Sequence, residues 1–167
     1  MQPGSVRSHR ERRIRPSEWT RSSTTGCHET VLFDTGVVFA ALDSSDAHHL
    51  TAARLIDSGV RVAIPAPTLV ELDWLGGSRG VPCRDAVLRG ITEGSIQVID
   101  LTASDYTRVR QLCTAYADLR LGFVDASIVA VAERLGESTI ATTDRRHFSV
   151  VRPRHVASFT LVPDLSA

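Results

Sequence analysis

The chain has 167 residues, enough for one domain with a sizeable core, and 43% of them are hydrophobic. Its 19 basic residues, all arginine, balance 19 acidic residues, so the overall charge does not indicate a nucleic-acid or membrane partner. No apolar run is long enough to span a bilayer, and no signal peptide is expected. Cys27, Cys83 and Cys113 form no CxxC pair, which indicates reduced thiols in a cytoplasmic protein rather than disulfides or a zinc site.

Residues 1–29 differ in composition from the rest of the chain. They have almost no apolar periodicity, and among their Ser and Thr residues they carry Arg7, Arg10, Arg12, Arg13, Arg15 and Arg21. This composition predicts a disordered tail and leaves residues 30–167 as the folded domain. Two interpretations of the tail stay open: an inert or upstream extension, and an arm whose arginines contact nucleic acid.

The first predicted strand, at 31–33, leads directly into Asp34 and Thr35. Its apolar residues predict a strand buried on both faces, as in a parallel sheet. A short helix is expected over 36–42, and Asp46 is the predicted N-cap of a second helix that ends near residue 57.

The middle of the chain continues with a second buried strand at 60–64, closed by Pro65. The next helix is expected to open at 67–68, where Thr68 and Glu71 have the spacing of a capping box. The two glycines at 76–77 are predicted to end this helix, and a separate short helix is expected over 84–89.

The last part of the chain has strands predicted at 95–99, 139–142 and 159–162, the last one at a sheet edge. Thr102 and Asp105 form another capping-box pattern, which opens a helix to about residue 117. Gly136 is the predicted C-cap of a strongly patterned helix over 123–135. Strands that alternate with helices predict an α/β fold with a mostly parallel sheet.

Four acidic side chains are predicted to meet at one edge of this sheet. Asp34 and Asp144 each follow a strand, and parallel strands have their carboxyl ends on the same side. Glu71 and Asp125 lie near helix starts, each with apolar residues three and four positions later. Half-buried carboxylates repel one another, which a divalent cation would relieve, and oxygen ligands suit Mg²⁺ or Mn²⁺.

Each acid also has a purely structural interpretation. Asp34 and Asp144 are typical turn residues, Glu71 completes a capping box, and Asp125 suits the positive end of a helix dipole. Asp73 competes with Glu71, because it lies about 200° further round the same helix and only one of the two can face the site.

The acids sit in four short stretches. These are 33–35 (Phe-Asp-Thr), 69–72 (Leu-Val-Glu-Leu), 121–127 (Leu-Gly-Phe-Val-Asp-Ala-Ser) and 142–148 (Thr-Thr-Asp-Arg-Arg-His-Phe). Together they resemble the PIN domain family, and within it most closely the VapC toxins of VapBC toxin–antitoxin pairs. The last two stretches are specific in combination. Gly36 departs from the Ser or Ala that is more usual there, and the family pattern does not explain the arginine-rich tail.

The resemblance implies a PIN-like three-layer α/β/α sandwich with a central, mostly parallel, twisted sheet. It also implies a metal-dependent endoribonuclease, in which a water activated by one or two Mg²⁺ or Mn²⁺ ions hydrolyses an RNA phosphodiester bond. The metal ligands implied are Asp34, Glu71, Asp125 and Asp144. Thr142 would orient water or substrate beside them, and Thr35 would assist.

Several neighbouring side chains have open roles. Arg145 and Arg146 either contact the RNA backbone or form a solvated pair on a turn. His147 is expected at the surface or in a hydrogen bond rather than on a metal. Trp74 is expected in the core or at a dimer interface.

The partners implied are an RNA substrate, with a stable RNA such as tRNA as the family-based expectation, a small cognate antitoxin, and a second copy in a homodimer. No membrane partner is expected. The alternative is a catalytically inactive PIN-like module that binds RNA or protein, against which the four acids and Thr142 argue. A phosphatase or nucleotide-binding α/β protein would need a Gly-rich loop after the first strand, which residues 34–37 do not provide.

Overall fold

The computed structural model describes residues 29–165, and it describes the side chains of all of these residues except 76–80. The tail predicted over 1–29 therefore lies outside the described residues except for Glu29. Residues 166 and 167 of the predicted domain lie outside them as well.

Five strands form one parallel sheet, in which β1 is central. They are β1 (Thr30–Phe33), β2 (Arg61–Pro65), β3 (Ile96–Ile99), β4 (Thr139–Ala141) and β5 (Thr160–Val162). The order across the sheet is β3-β2-β1-β4-β5, and every neighbouring pair is parallel. The chain proceeds outward from β1 on one side and then returns to place β4 on the other side. The crevice beyond the carboxyl ends of β1 and β4 is therefore the switch point at which α/β sheets bind ligands.

Six helices in the described part of the chain cover the two faces of this sheet. They are α1 (Thr35–Leu42), α2 (His49–Asp57), α3 (Ala66–Thr92), α4 (Ala103–Ala115), α5 (Phe123–Leu135) and α6 (Arg145–Val150). Successive strand residues point to opposite faces. Val31 and Phe33 of β1 pack in one buried cluster with α1, α2 and α3, whereas Leu32 packs in a second cluster with α4, α5 and α6. The predicted three-layer α/β/α sandwich is confirmed.

The predicted end of α3 at residues 76–77 is wrong. The helix continues through Gly76, Gly77 and Pro82 to Thr92, and it includes the segment predicted as a separate helix over 84–89. Glycine and proline disfavour a helix interior by about 1 and about 3 kcal/mol. Burial of one side of α3 outweighs this cost. Leu72 precedes the glycines and Val87 follows the proline, and both pack into the same core cluster.

Two predicted caps are also wrong. The helix α3 already begins at Ala66, so Thr68 is a buried residue of its first turns, and its hydroxyl has no hydrogen-bond partner among the described residues. Asp46 accepts a hydrogen bond from the backbone N–H of His48 in the turn that precedes α2, which begins only at His49.

The local signals in the second half of the chain were more reliable. The capping box of Thr102 and Asp105 is present at the start of α4, and Gly136 ends α5 in the left-handed conformation with φ 75°. The edge strand β5 lies where it was predicted. Cys83 and Cys113 are free thiols, and Cys27 lies outside the described residues. No helix of the described residues is long and apolar enough to cross a membrane.

Asp105 connects α4 to α5, which predicts a measurable effect on stability. Its carboxylate is 2% exposed, accepts a 2.8 Å hydrogen bond from the N–H of Thr102 and pairs with Arg134 at 2.9 Å. Asp105→Ala removes the half of the capping box that satisfies the N–H of Thr102 and leaves Arg134 without its carboxylate partner. We therefore expect the free energy of unfolding, measured with urea, to fall by about 2–4 kcal/mol.

Asp85→Ala is the matched control for this measurement. Asp85 is exposed and lies 3.8 Å from Arg89 on the same helix, so its loss should change stability by less than about 0.5 kcal/mol. Equal effects of the two substitutions would contradict a special role for Asp105.

Candidate active site

Asp34 lies at the switch point of the sheet and is held by three hydrogen bonds, one from its backbone and two to its carboxylate. Its backbone N–H donates to the carbonyl of Ala141 at 2.9 Å, which extends the pairing of β1 with β4 into the site. Its Oδ1 accepts from the N–H of Thr35 at 2.7 Å, so it caps α1, and its Oδ2 accepts from the hydroxyl of Thr142 at 2.8 Å. Asp34 is therefore both the N-cap of α1 and a carboxylate at the edge of the sheet, so the two interpretations of this residue do not exclude each other.

Glu71 faces the same place from α3. Its Oε2 accepts a 2.5 Å hydrogen bond from the hydroxyl of Thr35, the residue that follows Asp34. Asp73, the competing acid, is exposed on the other side of the helix and pairs with Arg84 at 2.5 Å. Glu71 is thus the acid of α3 that faces the site, and its carboxylate is bound to Thr35 rather than in a capping box with Thr68.

Asp125 reaches the site from the first turn of α5 and is bonded to a histidine. Its Oδ2 lies 2.7 Å from Nδ1 of His147, which is buried on α6. The sequence predicted a hydrogen bond as one role for His147 but did not place it at the site. The missed signal was the helix α6, which follows Asp144 directly and orients His147 toward α5.

Asp144 does not join the other three acids. Its side chain is exposed, and its Oδ1 accepts a 3.0 Å hydrogen bond from the N–H of Arg146, which caps α6. Thr142 links it to the site through the main chain, because the buried Thr142 hydroxyl lies 3.0 Å from both the N and the O of Asp144. The structure therefore links Asp34 directly to Thr142 and through Thr35 to Glu71, with the charge of Asp125 near enough to act on Asp34, and it leaves the carboxylate of Asp144 exposed as the cap of α6.

The pKa of Asp34 reflects its burial and the charged groups around it. Burial raises the pKa of Asp34 from 3.8 to about 6; hydrogen bonds from Thr142 and Thr35 oppose this shift, and the negative charges of Asp125 and Glu71 add to it. Within the described residues, no arginine forms an ion pair with any of these three acids. The site is therefore a concentration of negative charge with hydroxyl, amide and imidazole donors around it.

The donor chemistry fits a hard divalent cation, but the arrangement is incomplete as a metal centre. Among the described residues, no group of three or more His, Cys, Asp or Glu side chains is placed to hold a metal ion. Asp144 is occupied as a helix cap, and Asp125 has one oxygen bonded to His147. The carboxylate oxygens that remain are ligands of the type that Mg²⁺ and Mn²⁺ prefer.

An open groove lies beside Glu71, between the start of α3 and the starts of α4 and α5. It is mostly apolar, with Glu71 and Asp100 as its acids, and it is lined by Ala66, Pro67, Val70, Trp74, Leu101, Tyr106, Phe123 and Val124. Trp74 is 79% exposed, so it does not belong to the core. The rings of Tyr106 and Phe123 stack at 6.4 Å on the opposite wall.

The two arginines after Asp144 point in different directions. The guanidinium of Arg145 donates to the carbonyls of Leu161 and Pro163, and so attaches α6 to the end of β5. Arg146 is exposed. Of the pair, Arg146 is the one whose side chain is presented to solvent at the rim of the site.

Comparison with known proteins agrees with this architecture. The family model of the PIN domain matches residues 31–152. The chain belongs to the PIN domain family. It is 35% identical to ribonuclease VapC26 of Mycobacterium tuberculosis (strain ATCC 25618 / H37Rv) over 135 residues. The aligned region covers 80% of this chain and 100% of VapC26. The PIN fold is also seen in the crystal structure of Mycobacterium tuberculosis VapC20, a Sarcin-Ricin loop cleaving toxin, with a TM-score of 0.59 and 24% identity over 66% of this chain and 87% of that chain.

The raised pKa of Asp34 predicts a pH-dependent gain in stability for Asp34→Asn. Because the folded protein holds this proton up to about pH 6 while the unfolded chain releases it near 3.8, stability falls as the pH rises through that window. Asparagine cannot ionise. Its Oδ1 can still accept from the N–H of Thr35, and its amide group can donate to the Thr142 hydroxyl, which can turn its own proton to the carbonyl of Asp144. In chelator, we expect the variant to be more stable than the natural protein at pH 7.5, by up to about 3 kcal/mol, and to lose this advantage near pH 4.

Urea unfolding at the two pH values measures this effect, with Asp73→Asn as the exposed control. The control should show no comparable gain at pH 7.5. A variant Asp34→Asn that is less stable than the natural protein at pH 7.5 would contradict the raised pKa assigned to Asp34.

Proposed function

We propose that this PIN-domain protein is a metal-dependent endoribonuclease toxin whose active site contains Asp34, Glu71, Asp125 and Thr142. The observation that carries the proposal is that Asp34, which follows β1 at the switch point of the sheet, is joined to Glu71 through Thr35 and feels the charge of Asp125, while no arginine of the described residues pairs with these acids. The identity to a ribonuclease over most of the chain supports the same activity.

The side chains have distinct roles in this proposal. Asp34, Glu71 and Asp125 would hold Mg²⁺ or Mn²⁺. Asp144 would be a fourth ligand if its carboxylate gave up the hydrogen bond from the N–H of Arg146 that caps α6. When bound, the metal supplies a water nucleophile at neutral pH and offsets the charge of the phosphodiester. Thr142 keeps Asp34 oriented through its 2.8 Å hydrogen bond, and Thr35 joins Asp34 to Glu71.

The proposed substrate is RNA, and a stable RNA such as tRNA is the target class we favour. Arg146 would contact its backbone, because this exposed guanidinium lies on the helix that follows the last acid and arginine pairs well with phosphate. Arg145 would contribute indirectly, since its guanidinium is already bonded to the carbonyls at the end of β5. An RNA substrate and free thiols are both consistent with action in the cytoplasm.

A cognate antitoxin is the proposed regulator, and the groove beside Glu71 suits it. The groove combines exposed aromatic side chains with Glu71 and Asp100, so it would accept a segment that carries apolar and basic residues. A cationic side chain placed next to Glu71 would offset the same negative charge that a metal offsets.

The proposed homodimer would use the exposed face of α3. Val81 and Leu88 lie seven residues apart, so they form an apolar stripe on one side of the helix beyond the groove, and both are about half exposed. Exposed apolar stripes of this kind mark protein interfaces.

A non-catalytic module that binds RNA or protein is the second candidate. It is favoured by one observation, namely that the described residues do not form a complete metal group. Metal binding and RNA cleavage distinguish the two functions.

The active-site proposal predicts metal-dependent cleavage that is lost in Glu71→Gln. Antitoxin-free protein incubated with total RNA and Mg²⁺ or Mn²⁺ should give discrete products, and chelator should abolish them. Because Glu71 faces Asp34 across Thr35, its replacement should slow cleavage by more than about 100-fold. Asp73→Asn, on the opposite side of the same helix, should cleave like the natural protein.

Folded protein that yields no products with either metal would favour the binding module. Loss of cleavage in Asp73→Asn equal to that in Glu71→Gln would contradict the assignment of Glu71 as the acid that faces the site. Thermal unfolding of each variant checks that the fold is retained.

The interface proposal predicts that a charge in the stripe dissociates the dimer. Val81→Asp combined with Leu88→Asp should shift the sedimentation of the protein from dimer to monomer, because burying two carboxylates costs several kcal/mol. Leu50→Asp, on the exposed surface of α2, is the control and should remain dimeric. A natural protein that sediments as a monomer would contradict the proposal.

A further inference from the structure

The proposed reaction gives Asp125 a role as a metal ligand but gives none to His147, with which Asp125 forms a pair. Nδ1 of His147 lies 2.7 Å from Oδ2 of Asp125, and the two residues come from α6 and α5, which are separated by β4 in the chain. The histidine is 9% exposed, so the ring is part of the packed structure rather than a surface group.

The protonation pattern of the ring follows from its partner. A carboxylate oxygen accepts hydrogen bonds, so Nδ1 carries the proton and donates it. Nε2 is buried and has no hydrogen-bond partner among the described residues. The ring therefore reaches neither solvent nor a substrate through Nε2, and any effect of His147 on the reaction passes through Asp125.

The position of Asp125 needs such a restraint. Within the described residues, the bond from His147 is the only hydrogen bond to its carboxylate, and α5 has Gly122 as an N-cap without a side-chain bond. The charge of Asp125 also acts on Asp34, since it contributes to the raised pKa of that residue. Repulsion between these two like charges favours rotation of the Asp125 side chain away from Asp34.

The helix α6 is well suited to supply the restraint, although it has only six residues. Asp144 caps its start, Arg145 attaches it to the end of β5, and Phe148 is 1% exposed in the core cluster with α4 and α5. These attachments fix where the imidazole lies relative to α5.

We propose that His147 is a positioning residue that holds Asp125 toward Asp34 and thereby sets the affinity of the site for its divalent metal. The inference rests on the proposed function, because it assigns Asp125 to the metal. Each of the three acids is then held by a donor from another element: Asp34 by Thr142, Glu71 by Thr35 and Asp125 by His147.

Two substitutions separate the hydrogen bond from the packing of the ring. His147→Phe keeps a ring in the buried space and removes the donor. His147→Asn places an amide N–H close to the position of Nδ1 and so restores the donor. Ser149→Ala, at an exposed position of α6, is the control.

The measurement is Mn²⁺ binding to the full chain by calorimetry, with thermal unfolding and RNA cleavage as a function of Mn²⁺ concentration. We expect His147→Phe to weaken Mn²⁺ binding about 10- to 100-fold and to shift the cleavage curve to higher Mn²⁺ by the same factor. His147→Asn should recover most of the affinity, and Ser149→Ala should match the natural protein.

The outcomes separate this inference from the function on which it rests. If the natural protein binds Mn²⁺ and cleaves RNA but His147→Phe binds Mn²⁺ equally well, the role of His147 is overturned and the function stands. If His147→Phe and His147→Asn lose affinity and thermal stability alike, the residue is merely structural and the inference is also overturned. If the natural protein neither binds Mn²⁺ nor cleaves RNA, the proposed function itself fails, and the inference fails with it.

Discussion

The burial of Asp34 beside the acids Glu71 and Asp125 is the constraint on which the arrangement of the site depends. Desolvation raises the pKa of Asp34 to about 6, and the negative charges of Asp125 and Glu71 add to this shift. The packing of two helical layers on the parallel sheet holds them together against this cost. The pairing of β1 with β4 is the most important contact in this packing. It brings the Thr142 hydroxyl within hydrogen-bond distance of Asp34, although the two residues are 108 positions apart in sequence.

The local patterns of the sequence were sufficient to predict the fold and part of the site. Alternating strands and helices gave the parallel sheet, and parallel strands necessarily bring the residues after β1 and β4 to the same edge. The placement of Asp34 and Thr142 follows from this rule alone. The choice of Glu71 over Asp73 was left open by the helical pattern, and the structure decides it through the bond to Thr35.

The parts that could not be predicted depend on contacts between distant segments. The helix α3 continues across Gly76, Gly77 and Pro82 because its buried side packs on the sheet, and no local window of sequence contains that information. The partner of Asp125 was missed for the same reason: His147 meets it from 22 residues away, on a short helix that exists because of its attachments to β5 and the core.

The donors around the site distinguish it from the structural acids of the same protein. Burial alone would raise the pKa of Glu133, but the side chain of Arg108, the N–H of Arg154 and both arginine charges lower it below its usual value. Asp34 is more deeply buried, and no arginine of the described residues forms an ion pair with it. An arginine beside Asp34 would stabilise the protein in the absence of metal, and its guanidinium would occupy the position of the proposed metal ion. Hydroxyl, amide and imidazole groups orient the acids without supplying a permanent charge, so the site keeps the negative potential that the proposed divalent metal would require.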